Sequence, residues 1–222
     1  MYIGYNEEQE ALRTELRAYY DKLLTPDVRA ALREGQGVGE AMRAVVRQMG
    51  TDGWLGIGWP TEYGGQGRSS IEQFIFFDES MRAGAPVPML TTNTVGPTIY
   101  REGSQEQKDF FLPKILKGEL HFCIGYTEPN AGTDLAALQT RADADGDDFV
   151  INGQKVFTSL ASDADWIWLA TRTDQQASKH AGLSLVLVHS KHPGLTAAPL
   201  DLLLAPYFRP SSFHHCRLAH AQ

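Results

Sequence analysis

The chain has 222 residues, of which 42% are hydrophobic and 21% charged, and its formal net charge is −7. This composition is typical of a globular protein and excludes an intrinsically disordered chain. The acidic balance, with a pI near 5.5, argues against a general nucleic-acid binder, which would present a basic face. No apolar run reaches the roughly 20 residues that a membrane span needs, and no secretory signal is visible.

Apolar residues with a helical period dominate the first half of the chain. Predicted helices run from Asn6, as a cap, to just before Pro26, from about Val38 to Gly50, from Ser69 or Ser70 to about Met81, from Thr94 to Tyr100 and from Ser104 to Leu112. Glycine and proline interrupt the period at Glu62 to Gly67 and at Ala85 to Leu90, which are predicted to be loops. This half is therefore predicted to be an all-α bundle.

After Gly118 the pattern changes to short strands separated by acidic or glycine-containing turns. The predicted strands are Leu120 to Tyr126, Gln139 to Asp143, Phe149 to Ile151, Gln154 to Thr158, Asp165 to Thr171 and Leu183 to His189. Such a series favours an antiparallel β-barrel or sandwich. We predict an α+β fold with a helical domain at 1–119, a β domain at 120–201 and an anomalous tail at 202–222 that shows neither a helical nor a strand period.

The two cysteines, Cys123 and Cys216, are too few for a disulfide framework. Cys123 lies in an apolar strand, where a small buried side chain is its expected role, so we expect a reducing, cytoplasmic location. The tail residues His214, His215, Cys216 and His220 have the composition of metal ligands. No second ligand group of recognised spacing accompanies them, and we predict no metal site.

The segment from Phe122 to Asp134 concentrates turn formers and hydrogen-bonding groups. Pro129, Asn130 and Gly132 favour a tight turn, and small residues with neighbouring threonine hydroxyls leave backbone amides accessible. Amides beside hydroxyls suit a phosphate or a polar heterocycle. On local composition alone, an ordinary Asx-type turn between two strands is an equal alternative.

A second segment, Asn152 to Ser159, reads Asn-Gly-Gln-Lys-Val-Phe-Thr-Ser. Together with Thr-Glu-Pro-Asn-Ala-Gly-Thr-Asp, which begins at Thr127, it resembles the flavin-binding middle domain of the acyl-CoA dehydrogenases. Tyr126 stands where the family has an aliphatic residue, and Phe157 stands where it usually has Trp. The fold implied is a truncated acyl-CoA dehydrogenase-like fold.

The resemblance extends over most of the chain, from near the N-terminus to about Leu200. It includes the runs Gly103 to Lys108 and Trp59 to Gly65. Within the family, the glycine-rich Trp54 to Gly67 segment and the Gly84 to Pro88 run are similar to members that act on steroid side-chain CoA thioesters.

The resemblance implies bound FAD and a set of residues that contact it. Those residues are Tyr126 and Thr127 at the edge of the flavin ring, Gly132 and Thr133 at the phosphates, Phe157 on the ring, and Ser159 near N5 or O4. The alternative makes Phe157 part of the strand core and Ser159 an exposed polar residue. Glu128 and Asp134 are predicted to fix the backbone of the turn rather than to act as an acid–base pair.

The family reaction removes hydrogens from Cα and Cβ of an acyl-CoA substrate, and the implied partners are like or unlike dehydrogenase subunits and an electron-transfer acceptor protein. The family's base is a glutamate of a C-terminal domain, which no residue here matches, so no catalytic residue is assigned. We expect the isolated chain to bind FAD weakly or not at all and not to dehydrogenate acyl-CoA substrates. Two alternatives are a non-catalytic subunit of a hetero-oligomer and a related flavin oxidase or monooxygenase. A truncated or frame-shifted product is favoured over a short protein with a divergent tail.

Overall fold

The structure is a computed structural model that describes residues 4–35, 38–198 and 208–219. It comprises two compact units, Met1–Leu120 and His121–Gln222. The first is helical and the second is a β unit, which confirms the predicted α+β order. Among the described residues, no helix is both long and apolar enough to cross a membrane.

The helices of the first unit are α1 (Glu7–Leu23), α2 (Pro26–Glu34), α3 (Glu40–Thr51), α4 (Ser70–Ala83), α5 (Gly96–Glu102) and α6 (Gln105–Leu116). The strands of the second unit are β1 (Phe122–Gly125), β2 (Arg141–Asp145), β3 (Asp148–Ser159), β4 (Trp166–Arg172), β5 (Leu183–His189), β6 (Leu195–Ala197) and β7 (Phe208–Ala219).

Capping residues define the start of α1 as the sequence predicted. The Asn6 side chain accepts a hydrogen bond from the Gln9 amide at 2.9 Å, and the Gln9 side chain accepts one from the Asn6 amide at 3.0 Å. This reciprocal capping box satisfies amides that a helix N-terminus otherwise leaves without partners. Ser69 and Glu72 form the same arrangement at the start of α4.

Helix α2 was not predicted, because Pro26 was interpreted only as the end of α1. Thr25 accepts a hydrogen bond from the Val28 amide, and Pro26 occupies the first turn of the new helix. A proline is tolerated there because its missing N–H would have no helical partner in any case. The same residue therefore ends one helix and begins the next.

No continuous helix crosses either of the two predicted loops, which confirms them. In the first, a 3₁₀ turn at Thr61–Tyr63 leads into extended chain. The second ends at Pro88 rather than Leu90, and the chain then enters a π-helix at Thr91–Val95 before α5. A helical period predicts helix but does not distinguish the wider π turn, so the π-helix was missed.

Helices α1 and α4 share a buried polar contact. Glu79 is 3% exposed and lies between Arg13, whose Nε is 2.9 Å from Oε1, and Arg17, whose Nε is 2.8 Å from Oε2. Hydrogen bonds from Arg17 lower the pKa of Glu79 below its usual value, although burial opposes them. Buried apolar residues of α1, α3 and α4 form the core of the helical unit together with Trp54, Leu55 and Ile57.

The β unit is a seven-stranded sheet in the order β1-β4-β2-β3-β7-β6, with β5 paired to β4. The sheet is mixed rather than antiparallel throughout, because β4 pairs in parallel with both β1 and β2. Long connections between β1 and β4 permit this orientation, which a two-residue hairpin cannot produce. The two strands predicted on either side of Asn152 form one strand, β3, with a shift of register between Ile151 and Gly153.

The core of the β unit contains both cysteines as free thiols. Cys123 and Cys216 are fully buried among Ile151, Ile167 and Val188. Burial raises the pKa of the Cys123 thiol to about 12 and that of the Cys216 thiol to about 11. Cys123 is therefore the small buried side chain that the sequence predicted.

Part of the tail forms β7, a strand that the sequence did not predict. It pairs antiparallel with β3 from Asp148 to Ser159 and with the short β6. Residues 202–207 and His220, and the side chains of His214 and His215, lie outside the described part of the chain. Among the described residues, no group of three or more metal-ligating side chains comes together.

Candidate functional site

The turn after β1 is a tight hairpin. The Glu128 amide donates to the Ala131 carbonyl at 2.8 Å, and the Ala131 amide donates back to the Glu128 carbonyl at 3.2 Å. Pro129 and Asn130 form the exposed tip, as expected of residues that favour turns. The sequence therefore located the turn correctly.

The Glu128 carboxylate holds this turn onto neighbouring backbone. It is buried and accepts hydrogen bonds from the amides of Gln139 at 2.7 Å and Thr140 at 2.9 Å. Glu128 therefore hydrogen-bonds backbone as predicted, but the amides it binds lie 11 and 12 residues along the chain rather than in the turn itself. Asp134 does not share that role, since its carboxylate forms an ion pair with Lys179.

Lys155 of β3 supplies the counter-charge of Glu128, and the sequence reasoning missed it. Its side chain is fully buried, and its Nζ lies 2.8 Å from Glu128 Oε1 and 3.1 Å from the Tyr126 carbonyl. Burial raises the pKa of Glu128, but Lys155 and the two amides outweigh burial and lower it overall. Burial lowers the pKa of Lys155, and Glu128 opposes that shift. The sequence signal that could have indicated this pair is a lysine within a predicted strand, together with a glutamate in the preceding turn.

Strand β3 carries an irregularity at Phe157. Lys155 pairs with Ser211 and Thr158 pairs with Arg209, so β3 has one more residue than β7 over this interval. Such a β-bulge commonly places a glycine in the left-handed region, but here Phe157 occupies it at φ 55°. The bulge turns the Phe157 side chain outward, and 51% of it is exposed.

The hairpin turn and β3 lie side by side. The Val156 amide donates to the Thr127 carbonyl at 2.8 Å, which places Thr127 next to the residue before Phe157. Ser159 is two residues further along β3 and half-buried. The structure thus brings Tyr126, Thr127, Phe157 and Ser159 into one region of the β unit.

The phenol of Tyr126 is held in place from the sheet. The Trp168 indole donates to its hydroxyl at 3.1 Å, and burial raises the pKa of the phenol, with the Trp168 hydrogen bond opposing that shift. The phenol is therefore neutral near pH 7. Gly132 and Thr133 are exposed beyond the hairpin tip, near Asp134.

The family models account for both units. The N-terminal domain of acyl-CoA dehydrogenases matches residues 6–119, and the middle domain of the same family matches residues 123–211. The chain belongs to the acyl-CoA dehydrogenase family. The middle-domain match extends past Leu200, where the sequence resemblance had been expected to end, and includes the start of β7.

Named relatives and solved structures agree with this assignment. Acyl-CoA dehydrogenase FadE26 of Mycobacterium tuberculosis is 53% identical over 212 residues, which cover 93% of this chain and 53% of that protein. The crystal structure of the ChsE4-ChsE5 complex from the same organism is 50% identical with a TM-score of 0.93, covering 100% of this chain and 56% of the matched one. A steroid acyl-CoA dehydrogenase, Tcur3481-Tcur3483, has 49% identity and a TM-score of 0.93, with 100% and 58% coverage. The chain spans about half the length of these relatives.

Proposed function

We propose that this chain forms the flavin-edge half of an acyl-CoA dehydrogenase active site. The whole reaction would be the α,β-dehydrogenation of a CoA thioester, in which a carboxylate base takes the α proton and FAD, held by these residues, would supply the acceptor for the β hydride. Family membership supports the reaction class, and a glutaryl-CoA dehydrogenase from Mycobacterium smegmatis, solved with FADH2, is 25% identical to this chain with a TM-score of 0.80.

The observation that carries the proposal is the conformation of Phe157. A non-glycine residue in the left-handed region costs on the order of 1–3 kcal/mol, and such residues cluster at active sites and ligand-binding sites. With half of its surface exposed, Phe157 gains less from burial than a core aromatic would. A flat, exposed ring beside Thr127 suits stacking on an aromatic heterocycle, so the residues present fit a flavin.

The other predicted residues have separate tasks in this proposal. Tyr126 and Thr127 hydrogen-bond the edge of the ring, and Ser159 contacts the N5 or O4 region. Donors in these positions stabilise the electron-rich reduced flavin because they are directed to where charge develops. Gly132 and Thr133, exposed and accessible, contact the phosphates.

Neither acidic residue of the hairpin turn serves as the base. The Glu128 carboxylate is already bonded to two amides and to Lys155, and Asp134 is paired with Lys179. In this proposal the base comes from a C-terminal domain or a partner chain, as the family pattern implies. We assign FAD as the cofactor and no catalytic residue to this chain.

The substrate and partner proposals follow from the names of the relatives. Two of the matched structures are the ChsE4-ChsE5 complex and the steroid acyl-CoA dehydrogenase Tcur3481-Tcur3483, and each name joins two different components. We assign this chain a bulky, steroid-derived acyl-CoA substrate and a second dehydrogenase-like chain as partner. Reduced flavin would be reoxidised by an electron-transfer acceptor protein.

Flavin binding by the 222-residue chain tests the proposal. FAD is titrated against the protein and followed by quenching of flavin fluorescence and by saturation-transfer NMR, which detects weak complexes. Phe157→Gly should weaken binding roughly three- to tenfold, as loss of an aromatic contact of about 0.5–1.5 kcal/mol implies.

Leu160→Gly is the matched control for that substitution. Leu160 also has a positive φ, 64°, and is 39% exposed, so both glycines relieve backbone strain and only one removes an aromatic ring. An unchanged affinity in Phe157→Gly, or an equal loss in both variants, would contradict the assignment of Phe157 to the flavin.

A further inference from the structure

The helical unit contains an open cleft of about 460 Å³ between α4 and α5. Its lining combines the aromatic residues Trp59, Phe74, Phe77 and Tyr100 with the polar residues Ser70, Gln73 and Asn93. Trp59 is buried, whereas Phe74 is 58% exposed and stands at the opening. A cavity of this size lies within the range of small-molecule sites, roughly 300–1,000 Å³, and such sites combine apolar walls with a few polar groups.

Two carboxamides supply those polar groups. Gln73 Nε2 donates to Asn93 Oδ1 at 3.3 Å, and among the described residues each carboxamide hydrogen-bonds to no other side chain. Gly58 makes room for this pair, because a Cβ there would lie 2.7 Å from Gln73 Cδ. Each carboxamide carries both donors and an acceptor, so each retains hydrogen-bonding capacity for a ligand.

The wall that carries Asn93 is held rigidly. Asn93 lies in the π-helix Thr91–Val95, and the Trp59 indole donates to the Thr92 carbonyl at 2.8 Å. The Trp59 ring also lies against the Gly96 backbone, where a Cβ would come within 2.1 Å of it. A π-helix is rare and is frequently found at functional sites, and this one positions a polar side chain at the rim of the cleft.

We propose that this cleft binds a compact, ring-bearing molecule that carries a carbonyl or hydroxyl oxygen. The residues that line it include no charged side chain, so the bound portion of the ligand is neutral. The aromatic walls contact the rings, and Gln73 and Asn93 bond the oxygen. The site lies within the helical unit and does not depend on the proposed flavin site.

Calorimetric titration of the 222-residue chain, without flavin, tests this site with two ten-carbon ketones. The bicyclic trans-1-decalone should bind about tenfold more tightly than the open-chain 2-decanone, because the rigid ring system loses less conformational freedom on binding. Equal affinity for the two ketones, or no heat of binding at millimolar decalone, would overturn the proposal.

Substitutions then test the walls and the polar pair separately. Phe74→Ala should weaken decalone binding several-fold, whereas Ile71→Ala should leave it unchanged, since Ile71 is 52% exposed on the same helix but does not line the cleft. Both side chains are exposed, so both variants should keep the wild-type melting temperature. Equal effects of the two substitutions would show that the cleft is not the binding site.

The polar pair is tested by Gln73→Leu and Asn93→Leu. Each should weaken decalone binding several-fold, as expected on removal of one hydrogen-bond partner, and should reduce its preference over a decalin probe that lacks the oxygen. If a leucine variant melts early, Gln73→Asn, which keeps the amide but shortens its reach, replaces it. Full decalone affinity in every variant of the pair would refute the role of the carboxamides.

Discussion

Glu79 in the helical unit and Glu128 in the β unit are both buried carboxylates, yet their counter-charges lie in very different surroundings. Glu79 pairs with Arg13 and Arg17, whose side chains are 20% and 54% exposed. Glu128 pairs with Lys155, whose side chain is 0% exposed. Water can therefore replace a lost arginine but not the lost lysine, and the β unit should depend more strongly on its single cation.

The largest expected effect is that of Lys155→Met, which leaves the Glu128 charge buried without its cation. Removing one partner of a buried pair typically costs about 3–5 kcal/mol. We expect a loss of this size in the free energy of unfolding, measured by urea denaturation at pH 7. Lys179→Met is the control, because Lys179 is 53% exposed and its pair with Asp134 lies at the surface. Similar losses in the two variants would contradict the difference in burial.

A double substitution sharpens the same prediction. Glu128→Gln in the Lys155→Met background removes the buried charge that the first substitution stranded. The combined loss should therefore be smaller than the sum of the single losses, by on the order of 0.5–3 kcal/mol. Strict additivity would show that the two side chains do not interact energetically.

Acid should weaken both units through these carboxylates. The folded pKa values of Glu79 and Glu128 are lowered, so the stability they contribute is present above the ordinary glutamate pKa of about 4.3 and is lost as the pH falls through the folded values. Urea midpoints between pH 6 and pH 2.5 should fall less steeply in Glu79→Gln and in Glu128→Gln than in wild type. An unchanged slope in both variants would rule out these groups.

A smaller loss is expected when one arginine of the helical unit is removed. In Arg17→Ala, Arg13 still pairs with Glu79, and water reaches the position that Arg17 occupied. The drop in the urea midpoint should be smaller than that of Lys155→Met. A drop as large as that of the lysine variant would show that exposure of the cation does not govern its importance.

The smallest effect is expected at Phe157. Phe157→Gly removes contacts but relieves the positive φ, so stability should remain within about 1 kcal/mol of wild type. Phe157→Ala keeps the backbone strain and also loses the ring. It should therefore be less stable than Phe157→Gly, although it removes fewer atoms from the side chain. The reverse order of thermal melting would indicate that the backbone at this bulge is unstrained.

The sequence predicted several elements from local chemistry, although helix α2, whose cap is also local, was missed. Asn6 and Ser69 identified helix starts because capping is satisfied within one turn of the chain. The missed features of the β unit depend on distant partners: β7 is a strand because β3 pairs with it, and the bulge at Phe157 exists only in that pairing. Burial of Lys155 likewise requires Glu128, 27 residues earlier.

In the candidate site, too, the locally determined features were predicted and the features that depend on strand pairing were not. The turn at Thr127 to Asp134 was predicted correctly from its residues, and the predicted hydrogen bonding of Glu128 to backbone is observed. The outward orientation of Phe157 could not be predicted, because a regular strand would alternate its side chains and only the extra residue breaks that alternation.

The two cysteines buried in the core of the β unit have a practical consequence. Thiols react as thiolates, so burial and the raised pKa values both protect Cys123 and Cys216 from alkylating reagents in the folded state. Labelling should therefore proceed only through opening of this unit. The chain has no other cysteine, so the rate of thiol modification reports how often the β sheet opens. A ligand that binds this unit tightly should slow that modification.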